Sequence, residues 1–352
     1  MITLGINLSH NASIALCDSG IITHFYDEER FQRISKNWSP LNQLPEHGTI
    51  NSLDQVAYSQ HLSRVKYKSL LKIKEKINLA VYTAVKSPFL KEDFKHKFVV
   101  DSIQEQIKNP EYILDFKKHH IYHALSGFYF SKFNDAVALV IDGMGNTPFY
   151  SNKIHKNGEW KETESIFYIN KNNKIINSLY VNITDVWPIT KYNFVDKNPK
   201  EKFNIDFEIK DKQSYSEIIN GTEVNFSKKL NAGLCFATLS NIHLNDFLGA
   251  GKLMGLASYP LNTKGLENLS EANQQGKKAQ QYLLETQINL VEKAKSYKLT
   301  NNIVLSGGCA LNCVNNFKLV KMYPELNFFV DPIPHDGGTA VGAAIYHHDY
   351  NR

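Results

Sequence analysis

The chain has 352 residues, 42% of them hydrophobic and 21% charged, with a net charge of +5. That is enough material for two lobes with real cores, and the profile is globular rather than disordered or fibrous. No apolar run approaches the roughly 18–20 residues that span a bilayer, the start Met1-Ile2-Thr3-Leu4-Gly5 lacks the features of a secretory signal, and four cysteines do not make a disulfide framework. A reducing, cytoplasmic compartment with no membrane partner is therefore expected.

Taken in chain order, residues 2–8 form an apolar run, 13–17 follow, Asp18-Ser19-Gly20 is a turn, and 21–26 return. This predicts strands and a hairpin with the polar loop His10-Asn11-Ala12-Ser13 at its mouth. Residues 64–97 carry ten Lys or Arg against Glu75, Glu92 and Asp93, a local excess of seven, larger than the charge of the whole chain. With Tyr67, Tyr82, Phe89, Phe94 and Phe98 interleaved, the stretch can steer a polyanion or form a solvated lysine-rich face. It predicts a basic helical insertion over about 60–100, followed by helices at 99–108 and 121–130, with His119 and His123 at the start of the second.

Residues 136–141 read as a buried strand ending in Asp142-Gly143-Met144-Gly145-Asn146. A strand at 147–155, a turn at Lys156-Asn157-Gly158 and a strand at 159–168 are predicted next. Two strand-loop-hairpin units about 130 residues apart predict an internal duplication, at a spacing too long for a solenoid. Residues 170–228 are Lys- and Asn-rich and weakly periodic, which predicts an insertion or surface loops. Helical patterning returns at 227–244 and 272–297. Then come a strand at 302–305, the turn Ser306-Gly307-Gly308, a helix at 310–322, a strand at 327–331 and a helix at 339–347. The fold class expected is α/β, in two lobes divided as 1–135 and 136–352.

Chemistry-bearing residues cluster in the turns. His119 and His123 stand at i and i+4, neighbours on one helix face, and can share a divalent metal if a carboxylate arrives from elsewhere. Asp336, at a strand-to-helix turn, is the candidate third ligand; a surface histidine cluster is the alternative. Gly307-Gly308 after a strand, and the glycine-rich turn Gly249-Ala250-Gly251-Lys252, let backbone amides approach a phosphate. Asp142-Gly143 ends a buried strand, a usual station for a carboxylate that positions metal or substrate. Cys309 and Cys313 read as packing residues rather than ligands.

Seven motifs occur in order: His10-Asn11-Ala12-Ser13, Glu28-Glu29-Arg30-Phe31-Gln32-Arg33-Ile34-Ser35-Lys36, His119-His120-Ile121-Tyr122-His123-Ala124, Ile141-Asp142-Gly143, Gly251-Lys252-Leu253-Met254-Gly255-Leu256-Ala257, Ser306-Gly307-Gly308-Cys309-Ala310-Leu311-Asn312 and Asp336-Gly337-Gly338-Thr339-Ala340-Val341-Gly342. Together they resemble the N-terminal domain of the nodulation-factor, cephamycin and tobramycin O-carbamoyltransferases. That domain is similar to the tRNA threonylcarbamoyl-transfer enzyme, within the superfamily of actin, sugar kinases and heat-shock ATPases.

The resemblance implies an internally duplicated, two-lobed, actin-like fold. It implies that His119, His123 and Asp336 bind a divalent metal, Fe2+ first and Mn2+, Zn2+ or Mg2+ as alternatives. His10 would be the general base for an acceptor hydroxyl or would hold the phosphate, and Asp142 and Lys252 join it as catalytic candidates. Arg30, Lys36 and Lys252 would supply positive charge near phosphates. Gly143, Gly145, Gly251, Gly307, Gly308 and Asn312 would contact ATP or a carbamoyl-adenylate made from carbamoyl phosphate. Members of the family continue into an adenylate-forming domain, so a chain ending at Arg352 implies a separate adenylate-forming partner or direct use of carbamoyl phosphate. The acceptor expected is hydroxymethylcytosine in DNA, on the strength of the basic stretch. A sugar or aminoglycoside hydroxyl is the alternative, and a non-catalytic actin-like nucleotide-binding module is the third reading.

Overall fold

A computed structural model of the chain describes residues 1–7, 11, 13–27, 77–83, 111–115, 117–145, 160–184, 214–227, 229–244, 246, 249–260, 264–265 and 267–351. They fall into two compact units, Met1–Ser126 with His335–Arg352, and Gly127–Pro334. The division read from the sequence at residue 135 kept the C-terminal segment with the second lobe. It belongs instead to the first unit, because α6 (Gly338–Ile345) packs on the first sheet.

The first unit is built on a five-stranded sheet in the order β3-β2-β1-β4-β5, comprising β1 (Ile2–Asn7), β2 (Ser13–Asp18), β3 (Ile21–Asp27), β4 (Leu79–Thr83) and β5 (Glu111–Leu114). β1, β2 and β3 run antiparallel, while β1, β4 and β5 are parallel. The β2–β3 turn is made by Ser19 (φ 53°) and Gly20 (φ 79°), two positive-φ residues as a tight hairpin matched to strand twist requires. β4 corrects the helical reading of residues 60–100 over its own span. No charge falls between Lys76 and Lys86, and the apolar Leu79–Thr83 run is buried along its whole length, as a parallel interior strand is. The remainder of the basic stretch, and the helix expected at 99–108, lie outside the described residues.

The second unit carries a seven-stranded sheet in the order β12-β11-β6-β7-β8-β10-β9. Its strands are β6 (Asp135–Ile141), β7 (Lys161–Asn170), β8 (Ile175–Thr184), β9 (Tyr215–Ile219), β10 (Thr222–Ser227), β11 (Asn302–Ser306) and β12 (Asn327–Val330). Within it, β8-β7-β6-β11-β12 repeats β3-β2-β1-β4-β5 strand for strand: two antiparallel pairings on one side of the first strand, two parallel ones on the other. This is the α/β internal duplication expected of an actin-like fold.

Within the repeat, the strands predicted at 136–141, 159–168, 302–305 and 327–331 stand as β6, β7, β11 and β12, and the difference lies in the strand that pairs with β7. The hairpin joining its second and third strands turns at Lys171–Lys174, with Lys174 at φ 51°, not at 156–158. β8, β9 and β10 occupy much of the span read as surface loops, and the strand expected at 147–155 lies outside the described residues. β8 alternates exposed and half-buried positions over its first four residues, the period-2 signature of a strand whose outer face meets water. β9 and β10 close at Asn220-Gly221 (φ 51° and 81°), a two-residue hairpin.

Helices cover the sheets. α1 (His119–Ser131) follows β5, and α2 (Ala232–Leu244), α3 (Ala250–Ala257) and the long α4 (Ser270–Ser296) pack together in the second unit. Val137, Leu139 and Ile141 of β6 meet Phe236 and Leu239 of α2 and Leu283 and Leu290 of α4 in that unit's core. The helix predicted at 310–322 is broken. Residues 308–311 form a 3-10 turn, and α5 (Cys313–Met322) starts after Asn312, whose side-chain oxygen accepts the Asn315 N–H at 3.1 Å. Asn312 is thus the cap of the helix and not a member of it. Among the described residues, no helix is long and apolar enough to cross a membrane.

Candidate metal centre

In the first unit, α1 begins with His119, and the i,i+4 spacing places His123 one turn further on the same face. Both imidazoles are buried, at 1% and 0% exposure, as is Asp336 at 5%. The two Nε2 atoms lie 3.1 Å apart with the rings edge to face, and Asp336 Oδ1 is 3.7 Å from each. Two ligands about 2.1 Å from one ion at angles of 90–110° are about 3.0–3.4 Å apart. The histidine pair has that spacing. His123 Nδ1 is buried and has no hydrogen-bond partner among the described residues. Two imidazoles and one carboxylate, closed off from water, form a donor set that fits a divalent transition metal.

Backbone contacts bring these candidate ligands together. A Cβ on Gly342 of α6 would lie 1.9 Å from the Tyr122 carbonyl oxygen on α1, so the two helices touch main chain to main chain there. A Cβ on Gly5 of β1 would lie 2.0 Å from the Ala340 carbonyl oxygen, so α6 is also seated directly on the sheet. Leu79, Val81, Tyr122 and Ala343 fill the space around this crossing. The turn that carries Asp336 is fixed locally. Thr339 N and Oγ1 both donate to the Asp336 carbonyl, Gly337 N donates to His335 Nδ1 at 3.1 Å, and Ser13 Oγ donates to the Gly337 carbonyl at 2.8 Å. His335 in turn has its Nε2 3.6 Å from Asp27 Oδ2.

The second unit holds the candidate phosphate loops. Asp142 follows β6, buried, and its Oδ1 accepts the Gly308 N–H at 3.2 Å. Gly307 has φ 84°, and a Cβ there would be 2.4 Å from the Ile141 carbonyl oxygen, so only glycine fits this turn. Gly145 donates its N–H to the Glu162 carbonyl at 2.8 Å, and Gly143 gives its carbonyl to Asn231 Nδ2 at 2.8 Å. Gly251 and Lys252 are not in a loop: they belong to the first turn of α3. The Lys252 ammonium, 54% exposed, pairs with Asp246 at 3.1 Å and borders a hollow of about 550 Å3 with Lys264 and Tyr259. His10, Arg30 and Lys36 lie outside the described residues.

Several site residues escaped the sequence. Asn231 caps α2 through the Leu234 N–H (2.8 Å) while holding the Gly143 carbonyl, and an Asn just ahead of an apolar helical run is a readable cap signal. Glu164, on β7, is buried, and burial pushes its carboxyl up against the pull of hydrogen bonds from Thr163 and Asn182. Nothing in the sequence distinguishes it from a surface glutamate. The Cys309 thiol is driven well above its usual range by burial, with the charges of Asp142 and Glu164 adding to the effect, in keeping with a packing role.

The chain matches the family model described as carbamoyltransferase N-terminus over residues 2–345, and it belongs to that family. A relative from Synechocystis sp. (strain ATCC 27184 / PCC 6803 / Kazusa), itself an uncharacterized protein, is 25% identical over 96% of this chain. The chain spans 55% of that relative's length. Among solved structures, full-length HypF in a phosphate- and nucleotide-bound form is 12% identical, with a TM-score of 0.46, covering 99% of this chain and 55% of HypF. Component A of the (R)-2-hydroxyglutaryl-CoA dehydratase of Acidaminococcus fermentans is 13% identical, with a TM-score of 0.44, covering 100% and 98%. A ROK-family glucokinase of Streptomyces griseus, solved with glucose and AMPPNP, is 12% identical, with a TM-score of 0.42, covering 98% of both chains.

Proposed function

We propose that the chain carries out the transfer step of an O-carbamoyltransferase, with His119, His123 and Asp336 holding a divalent metal, Fe2+ first among the candidates. The observation that supports this is the buried meeting of two imidazole nitrogens 3.1 Å apart with a carboxylate oxygen 3.7 Å from each, in a chain of the carbamoyltransferase family. When bound, such a metal is a Lewis acid that polarises a carbonyl or phosphoryl oxygen.

The protein's residues do the rest. The acceptor oxygen attacks the carbamoyl carbon, the bond from that carbon to the phosphate oxygen breaks, and the phosphate or adenylate leaves with the electron pair. His10 takes the hydroxyl proton, for which an imidazole with a pKa near about 6.5 is suited. Gly307 and Gly308, with Gly143, Gly145 and Gly251, would keep backbone free of side chains where phosphates approach, and Asn312 would hold the loop by capping α5. Lys252, Arg30 and Lys36 would neutralise phosphate charge, and Asp142 would position the Gly308 amide. The donor is carbamoyl phosphate, either directly or as carbamoyl-adenylate made from ATP by a separate partner or domain.

For the acceptor, hydroxymethylcytosine in DNA remains our reading, supported by the excess of seven positive charges over residues 64–97. A base in a duplex would have to be flipped out to reach the site, and phosphate contacts would make binding fall steeply with salt. The test supplies metal-loaded protein with preformed carbamoyl-adenylate, or with carbamoyl phosphate and ATP, and offers hydroxymethylcytosine DNA, an aminoglycoside and a simple sugar in parallel. Mass spectrometry should find one added carbamoyl group on the nucleoside, lost in His119→Ala. Carbamoylation of the aminoglycoside or sugar alone would move the acceptor to small hydroxyl compounds. No product on any acceptor from preformed carbamoyl-adenylate would overturn the transfer reading.

A further inference from the structure

Beside the histidine pair lies a second buried polar cluster that the chemistry above does not use. Asp115, at the end of β5, is buried, and its Oδ1 accepts the Lys117 N–H at 3.2 Å just before α1 begins. Its Oδ2 takes the Lys118 ammonium and lies 3.5 Å from His347 Nε2. His347 is buried in the π-helical turn Tyr346–Tyr350 that continues α6. Its Nε2 meets the Tyr122 hydroxyl at 3.1 Å, and its Nδ1 meets Asn351 Nδ2 at 3.2 Å. With the Asn351 amide donating to Nδ1, Nε2 is the nitrogen that faces both Tyr122 Oη and Asp115 Oδ2, and the Tyr122 hydroxyl also bonds Asp115. Tyr122 is fully buried, and its ring packs edge-on to Tyr346 at 5.8 Å.

We propose that Asp115, Tyr122 and His347 are positioning residues for the metal centre: they lock α1, which carries His119 and His123, against the α6 segment that begins with Asp336. The proposal rests on the metal reading above. Its logic is one of leverage. Two ligands come from α1 and the third from the turn that leads into α6, so their mutual geometry follows the relative placement of α1 and α6. The Gly342–Tyr122 main-chain contact fixes how far apart the helices are, while the roll of α1 about its own axis is set by the side chains that reach across. Tyr122, three residues after His119 and one before His123, projects from another side of the helix, and tying its hydroxyl to His347 removes that roll.

Imidazole tips stand about 5–6 Å from a helix axis, so a roll of about 10° moves them by about 1 Å. Metal ligands tolerate about 0.2 Å. A roll too small to disturb packing is therefore large enough to spoil the site. Burial alone would push the Asp115 carboxyl up, yet the hydrogen bonds from His347, Lys118 and Tyr122 hold it well below the usual carboxylate range, so it acts as a fixed anion at the hub of the cluster.

The experiment uses the full chain, stripped of metal and titrated with Co2+, reading the visible d–d absorption and the dissociation constant. The variants are Tyr122→Phe, His347→Leu, His347→Gln and, as the ligand control, His119→Ala, with circular dichroism and urea unfolding run on each. Tyr122→Phe keeps the ring and removes only the hydroxyl. It should fold, bind Co2+ about tenfold or more weakly, and shift the d–d bands; His347→Leu should do the same. His347→Gln, whose amide can still donate to Tyr122, should recover most of the affinity and the wild-type spectrum. A folded Tyr122→Phe with wild-type spectrum and affinity overturns the positioning role while leaving the metal site standing. A wild-type chain that binds no Co2+, or binds it as well after His119→Ala, overturns the metal reading and this proposal together.

Discussion

Gly342→Ala adds one methyl group to the chain at the point where α1 meets the helix that follows the Asp336 turn, beside the three candidate ligands. The new Cβ would lie 1.9 Å from the Tyr122 carbonyl oxygen and 2.5 Å from the Tyr122 carbonyl carbon and Cα. A carbon sits against a carbonyl oxygen at about 3.3 Å at closest, so about 1.4 Å has to be found. The obstacle is helical backbone, which cannot swing away as a side chain does, and on the other side α6 is held by the Gly5–Ala340 contact. Overpacking of this kind costs about 1–3 kcal/mol; with main chain on both sides we expect about 3 kcal/mol, or roughly a hundredfold in the folding equilibrium. The helix starts at the Asp336 turn, so its displacement also moves the carboxylate, and Co2+ affinity should fall with stability. Urea unfolding at constant m-value gives the first quantity and Co2+ titration of the folded fraction gives the second. Gly255→Ala is the control: nothing lies within 4 Å of a Cβ there, so in α3 the change should be neutral or stabilising by up to about 1 kcal/mol. A Gly342→Ala protein within about 1 kcal/mol of wild type, with unchanged Co2+ affinity, would refute the reasoning.

Two further expectations concern ionisation. The Asp115 carboxyl, facing His347, Lys118 and Tyr122, is held below its unfolded value, so its contribution to stability is complete above about pH 4 and is lost as the pH falls through the depressed native value. Asp115→Asn should accordingly destabilise the protein at neutral pH but flatten the acid limb of a stability–pH curve; parallel acid limbs would show that the carboxylate is not anchored as described. Among the cysteines, Cys17, Cys235 and Cys309 are buried and only Cys313 is exposed, and burial, with Asp349 adding, pushes the Cys17 thiol up to about 12. Brief alkylation of the native protein followed by peptide mass spectrometry should label Cys313 alone, and rapid labelling of Cys309 would contradict the buried turn after β11.

What could be read ahead of the structure was local. The i,i+4 histidines needed only the pitch of a helix, and the apolar runs of β1, β2, β6 and β11 needed only their bounding turns. β4 was hidden among lysines, since the nine uncharged residues between Lys76 and Lys86 are too few to show a period against a basic background. The strands β8 to β10 were missed because Asn, Ser, Thr and Glu break up their apolar residues and Ile175, Tyr215 and Ile218 face outward, although Asn220-Gly221 between alternating residues was a readable hairpin signal. Asn312 looked like a member of a helix because its neighbours are helical. Its capping role depends on the chain reversing at Gly307, which is set by a contact with Ile141 far away in sequence. The pairing of Asp336 with the histidines came from family resemblance, not from spacing.

The sequence by itself determined the family, the alternation of strands and glycine turns, the duplication and the i,i+4 histidine pair, because each of these is carried by residue type and short-range spacing. Only the tertiary structure decided which residues build the second repeat, that the C-terminal helix returns to the first unit, and that Gly342, Tyr122, Asp115 and His347 meet beside the candidate ligands. The reason is physical. A helix period or a turn depends on residues a few positions apart, whereas the close approach of Gly342 to Tyr122 joins positions more than 200 residues apart, and no local pattern encodes a distance that only the packed chain brings into being.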